Sequence, residues 1–149
     1  MQTLAKLQRL INEVPPRLEK LSGDPSRKPA PDKWSPKEEL GHLLDSAANN
    51  HQRIVRVQFE DGLKMPGYQQ EQWVAVHGYP QREWSELIAL WKALNQQLLF
   101  AASAVSGTAW LNKCTVASSE PMTLQFVFED YIQHMLHHLK HIGIAVNDL

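Results

Sequence analysis

The sequence predicts an all-α fold, an antiparallel four-helix bundle with a long connection between the second and third helices. Three observations carry that expectation. Four long segments repeat apolar residues at helical spacing. Strand signals are sparse. The chain is 149 residues long, the size of one ordinary domain, and contains no internal repeat, so 1–149 reads as a single domain.

The first helix is drawn by Leu4, Leu7, Ile11, Val14, Leu18 and Leu21, spaced in steps of three and four. Pro15 and Pro16 interrupt the pattern, and interior proline predicts a kink or a restart there. Ser22-Gly23-Asp24-Pro25 ends the segment, and a Pro-rich loop runs on to Trp34. The second helix opens with Ser35-Pro36-Lys37-Glu38: an N-cap serine, a proline at the first helical position, and a glutamate placed for a capping box. Leu40, Leu44, Ala47, Ile54 and Val55 continue its apolar face to about Phe59, and Gly62 is the expected stop.

Met65 to Pro80 is mixed, with a short helix expected over Gln69 to Val76. The third long helix runs from about Glu83 to Val105, with Trp84, Leu87, Ile88, Trp91 and Leu98 on one face. Residues 107–121 read as a loop, with a short strand near Lys113 to Val116. The fourth helix starts near Pro121 to Thr123, and its apolar face runs from Leu124 to Val146.

Composition limits the function classes. Lys and Arg total 15 and Asp and Glu 16, so the net charge of −1 leaves no electrostatic footprint for nucleic acid or an anionic membrane. No apolar stretch is long enough to cross a bilayer, and the N-terminus lacks the apolar core of a secretory signal. A single cysteine, Cys114, excludes an intrachain disulfide and fits a reducing compartment. The expectation is a soluble, cytoplasmic domain acting on a small molecule. Trp34, Trp84 and Trp91 read as packing residues, whereas Tyr68 and Trp73 are placed to cap a pocket.

The unusual feature is histidine. There are seven, four of them between 134 and 141. His134, His137, His138 and His141 sit at i, i+3, i+4 and i+7, within an arc of about 100° on a helix. Two histidines one turn apart can clamp one ion, which leaves His134/His138 and His137/His141 as candidate pairs. His134 and His138 lie nearer the apolar face, which favours them for an enclosed site. The bland alternative is a solvated flank rich in histidine. A third ligand must come from another helix. His42, His51 and His77 are the histidine candidates, with Glu38 and Asp45 as carboxylate options. Periodicity puts His42 on the polar side of its helix with Glu38, Asp45 and Asn49, and His51 on the apolar side. Spacing leaves His42 and His51 equally placed, and His77 reads as a loop residue.

Three segments resemble the DinB-like, or YfiT-like, family of metal-dependent proteins. Trp34 to Ser46, containing Gly41-His42-Leu43, looks like the family's second-helix signature. Tyr68-Gln69-Gln70-Glu71-Gln72-Trp73 is similar to a linker of one subgroup, and His134 to Ile142 looks like its terminal pattern. The resemblance implies a four-helix bundle and a metal triad of His42, His134 and His138, decided against His51. Relatives often carry Gln at position 141 and an acidic residue ahead of His137; here stand His141 and Met135-Leu136. Relatives often form homodimers.

Three imidazoles would leave open positions on a divalent ion, zinc or nickel, and three-ligand sites lean catalytic because structural zinc sites are closed by four. By resemblance, the expected chemistry is an S-transferase using a low-molecular-weight thiol. The alternatives are a metal-dependent hydrolase and a non-catalytic metal or ligand binder. Asp45 and His141 are the expected proton-handling residues. Cys114, with no base adjacent in sequence, is not placed as a nucleophile.

Overall fold

The computed structural model describes residues 2–149. Eight elements follow in order: α1 (Gln2–Glu19), α2 (Pro36–Val57), β1 (Leu63–Met65), α3 (Gln70–His77), α4 (Trp84–Ser103), β2 (Lys113–Val116), β3 (Met122–Thr123) and α5 (Leu124–Ile142). The four long helices form the bundle, and 26 residues separate α2 from α4, the long connection expected.

The order of packing differs from a simple up-and-down bundle. α2 packs mainly against α4 and α5, and α1 packs against the same two. Helices consecutive in the chain, α1 with α2 and α4 with α5, therefore face each other diagonally across the core. That arrangement requires long connections, and the loop 20–35 and the segment 104–123 supply them.

α1 runs unbroken through Pro15 and Pro16, where a kink or restart was expected. Ile11, Val14 and Leu18 are fully buried on both sides of the prolines. The continuous packed face offsets the hydrogen bonds that proline removes. α5 ends at Ile142 rather than Val146, because Gly143 takes a left-handed conformation at φ 98° and its N–H caps the last carbonyls. Ile144 and Val146 are still buried, as part of the chain that follows the cap, so their apolar character does not signal helix.

β2 forms where a short strand was expected, at Lys113–Val116, and β1 and β3 join it without a sequence signal. β1 pairs parallel with β2 (Leu63 opposite Cys114), and β2 pairs antiparallel with β3 (Cys114 opposite Met122). Strands of two to four residues are too short to show alternation. Side chains fasten this sheet: the Asp61 carboxylate accepts from Lys113 N–H at 2.7 Å, and Asn112 Nδ2 donates to Val57 O at 2.9 Å. Cys114 is buried within the sheet, and burial raises its thiol pKa, which removes it as a thiolate nucleophile at neutral pH.

One glycine admits a connector to the centre of the bundle. A Cβ on Gly41 would stand 2.0 Å from the Tyr79 ring. The missing side chain lets Tyr79 lie against α2, where its hydroxyl donates to Asp45 Oδ1 at 2.6 Å. Gly41→Ala is expected to lower stability by about 1–3 kcal/mol through overpacking, despite the better helix propensity of alanine. A lowered melting temperature, with Tyr79→Ala suppressing part of the loss in the double variant, checks this.

Candidate metal centre

α2 starts where the capping box predicts. Glu38 N–H donates to Ser35 Oγ at 3.3 Å, and Ser35 N–H donates to the Glu38 carboxylate at 2.8 Å. Glu38, a carboxylate option for the metal on sequence grounds, is thus engaged in the cap and paired with Lys28 at 3.3 Å. From Glu38 to Ala47 every residue of α2 is buried. The side that periodicity reads as wet, with Glu38, His42 and Asp45, is covered by α5 and by the α2–α4 connector. A helix buried all round must partner its polar groups or reserve them for a ligand.

His42 meets His134 and His138 there. One ligand nitrogen from each lies within 4.8 Å of the other two. The Nε2 atoms of His42 and His134 are 3.0 Å apart, close to the ~3.3 Å between ligand atoms of a tetrahedral zinc ion with Zn–N of about 2.0–2.1 Å. His138 Nδ1 is taken by Glu39 Oε2 at 2.6 Å, which turns its Nε2 toward the others. His134 Nδ1 stands 3.4 Å from Ser46 Oγ. This donor set, three imidazole nitrogens converging from two helices, fits a divalent ion that favours nitrogen. Trp34 covers the group, its ring centroid 5.0 Å from that of His42 and 6.4 Å from that of His138. It therefore does more than the packing expected of it: it walls the centre.

Burial and repulsion from neighbouring rings keep His42 and His134 neutral. His42 is lowered to about 3, by burial first and then by the neighbouring His138 and His134. His134 is lowered to about 4, again by burial first, then by His138 and His137, with Glu39 opposing. A neutral ring keeps the lone pair that a metal needs.

Glu39 is the residue that sequence reasoning missed. It hydrogen-bonds His138 and lies 3.3 Å from His141 Nδ1 through its other oxygen. A carboxylate behind a ligand histidine fixes the ring's tautomer and raises its basicity. The available signal was Glu39 three residues before His42, on the same side of the helix. Glu39, His138 and His141 form a second group of converging ligand atoms that shares His138 with the first. His141 is half-exposed, and His137 meets it edge-on at 4.3 Å between centroids.

Asp45 has other partners. Its Oδ1 accepts from Tyr79 and lies 3.0 Å from His77 Nδ1, while Oδ2 is buried without a partner. Burial raises its pKa, and the bonds from Tyr79 and His77 oppose the rise. Asp45 lies outside both groups of converging ligand atoms, and so does His51. His77 ends α3 rather than sitting in a loop, and ties α3 to Asp45.

A cavity of about 120 Å³ borders the centre, lined by His134, Ser46, Asn50, Arg53, Tyr68 and Asp130 among others. Tyr68 also lines a larger groove of about 560 Å³ with Trp73, Gln69 and Gln72. Tyr68, its ring centroid 5.2 Å from that of Trp73, thus borders both the cavity and the groove, while Trp73 lines the groove alone.

The fold and this cluster define a helical-bundle protein with a histidine-rich site that could bind metal. The sequence profile of the DinB superfamily matches residues 6–142, and the chain belongs to that superfamily. No curated protein matches it by sequence. Solved structures match in fold. YfiT from Bacillus subtilis, described as a probable metal-dependent hydrolase with an unusual four-helix bundle topology, superposes with a TM-score of 0.70 at 17% identity, over 95% of this chain and 89% of that one. The DinB-like protein YjoA of Bacillus subtilis gives 0.68 at 17% identity, over 96% and 87%. A variant of the mycothiol-dependent maleylpyruvate isomerase gives 0.73 at 12% identity, and this chain spans 61% of its length.

Two outcomes are expected. His42→Ala and His138→Ala each weaken zinc binding at least tenfold, Glu39→Ala weakens it by about 10–100-fold, and His51→Ala leaves it unchanged, as read by competition with a chromophoric chelator. The second concerns pH. The unfolded chain takes up protons near the ordinary histidine value of about 6.5, whereas folded His42 and His134 refuse them until about 3 and 4. Their neutral burial costs nothing in protonation free energy above pH ~6.5, and stability falls as the pH drops from there toward 4. Melts of metal-free protein at a series of pH values check the slope, and His42→Leu should flatten it.

Proposed function

We propose that this protein is a metal-dependent enzyme that uses a low-molecular-weight thiol, an S-transferase in type. One observation carries the reading. His42, His134 and His138 supply three converging nitrogens, and the centre they define borders a polar cavity rather than a fourth protein ligand. Structural zinc sites are closed by four ligands, whereas catalytic ones keep a position for water or substrate. A divalent ion bound there lowers the pKa of whatever occupies its open positions, water or thiol alike.

The chain's own residues divide the remaining work. Glu39 holds His138 in register, and Trp34 shields the rings from water. His141, 5.4 Å from His138 between centroids and half-exposed, is the group placed to pass a proton between the centre and solvent. Asp45, whose Oδ1 is committed to Tyr79 and His77, is buried and lies outside both groups of converging ligand atoms, away from that task. The cavity of about 120 Å³ suits the reacting end of a small molecule, and the groove beyond Tyr68 has room for the rest of a thiol cofactor. The isomerase neighbour is named for its dependence on such a thiol, mycothiol.

A hydrolase is the second reading, favoured by the small size of the cavity beside His134 and by the description of YfiT. Elemental analysis of tag-free protein comes first: about one zinc or nickel per chain is expected, lost in His134→Ala/His138→Ala. Absence of metal even after reconstitution overturns both readings. Cobalt-substituted protein then separates them. A thiolate-to-metal absorption band on adding mercaptoethanol supports the transferase, and a spectrum unmoved by thiols favours the hydrolase.

A further inference from the structure

We propose that Arg53 makes the inner cavity a carboxylate subsite, so that the substrate of the metal centre is a small molecule carrying a carboxylate a few bonds from its reacting group. The inference rests on the metal reading for what happens at the other end of the cavity, but on its own residues for the anion.

Ser46, Asn50 and Arg53 fall at i, i+4 and i+7 on α2, one stripe that continues from His42. Ser46 touches His134, and Arg53 lies seven residues further along, about 10 Å of helix. The stripe therefore runs from the metal centre to a guanidinium within one cavity.

Arg53 is half-buried, and its one hydrogen bond to a side chain is Nη1 to Asn50 Oδ1 at 3.2 Å. Among the described residues no carboxylate comes within ion-pair distance of it. Other partly buried arginines here are paired: Arg17 with Asp148 and Glu13, and Arg82 with Glu86. A guanidinium taken partly from water without a counter-ion is costly unless a ligand provides one. Asn50 anchors one edge of the fork and leaves other N–H groups for a planar, bidentate acceptor. Tyr68, on the same cavity wall, adds a phenol whose pKa burial raises, so it remains a hydrogen-bond donor.

The charge balance selects the anion. Asp130 also lines the cavity, from an exposed position on α5. One cation facing one carboxylate at longer range accommodates a monoanion better than a phosphate dianion. A carboxylate also matches the guanidinium fork in geometry.

The test uses adipate and its neutral isostere adipamide, titrated calorimetrically into protein whose zinc content is measured in the same sample. Adipate is expected to bind at least tenfold more tightly than adipamide. Arg53→Gln should abolish the preference, Arg53→Lys should keep part of it, and Lys92→Gln, an exposed cation on α4 that lines neither cavity nor groove, should leave it intact. Equal affinities in the wild type, or a preference that survives Arg53→Gln, overturn the proposal. Zinc uptake separates the two readings. An Arg53-dependent preference without zinc uptake upholds the subsite and sinks the metal centre, whereas zinc uptake without a preference sinks the subsite alone.

Discussion

Two imidazole nitrogens 3.0 Å apart, His42 on α2 and His134 on α5, set the central constraint of this molecule. At that separation, out of water, the rings cannot both be charged, and each needs either a shared proton or a shared cation. Much of the surrounding structure keeps them there. Burial of α2 on every side through Glu38–Ala47 removes competing water. Glu39 orients His138, Ser46 stands behind His134, and Trp34 closes the solvent side. The diagonal packing of α1 against α2 matters for the same reason. It places α2 and α5 side by side, although more than sixty residues of chain separate them.

The energetic consequence is a tension between folding and binding. His42 Nδ1 and Asp45 Oδ2 are buried with no partner, each a cost of about 1–3 kcal/mol to the folded chain. Natural domains keep few such groups, and clusters of them mark functional sites. Asp45 recovers part of its cost through Tyr79 and His77, which fasten the connector to the bundle. Stability and site architecture therefore share residues on α2, and substitutions there will report on both at once.

Much of this was legible in the residues and some was not. The long helices were, because each keeps one continuous apolar stripe and because Ser35-Pro36-Lys37-Glu38 is a strong start signal. The histidine spacing on α5 was legible for the same geometric reason. The partner for that stripe was not: periodicity left His42 and His51 equal, and only the family resemblance separated them. Periodicity assigned His42 to the wet side because it reads polar residues as exposed, and α2 is buried all round. Glu39 escaped because its role depends on a contact across 99 positions of chain. Of the three-stranded sheet, β2 was legible as the short strand near Lys113 to Val116, whereas β1 and β3 escaped because strands this short leave no alternation to read.

The strands and the connectors they fasten have a consequence for how such a protein changes over time. The converging histidines stand on two long helices, whereas Tyr68, Val116 and Met122, which wall the inner cavity, stand on the two excursions stitched together by β1, β2 and β3. The cavity thus has a wall of helix, with Ser46, Asn50 and Arg53 in register with His42, and a wall of connector. Sequence drift in the excursions can reshape the connector wall without moving the helices that bring the three imidazoles together, so one bundle can border differently shaped cavities while its histidine cluster stays put.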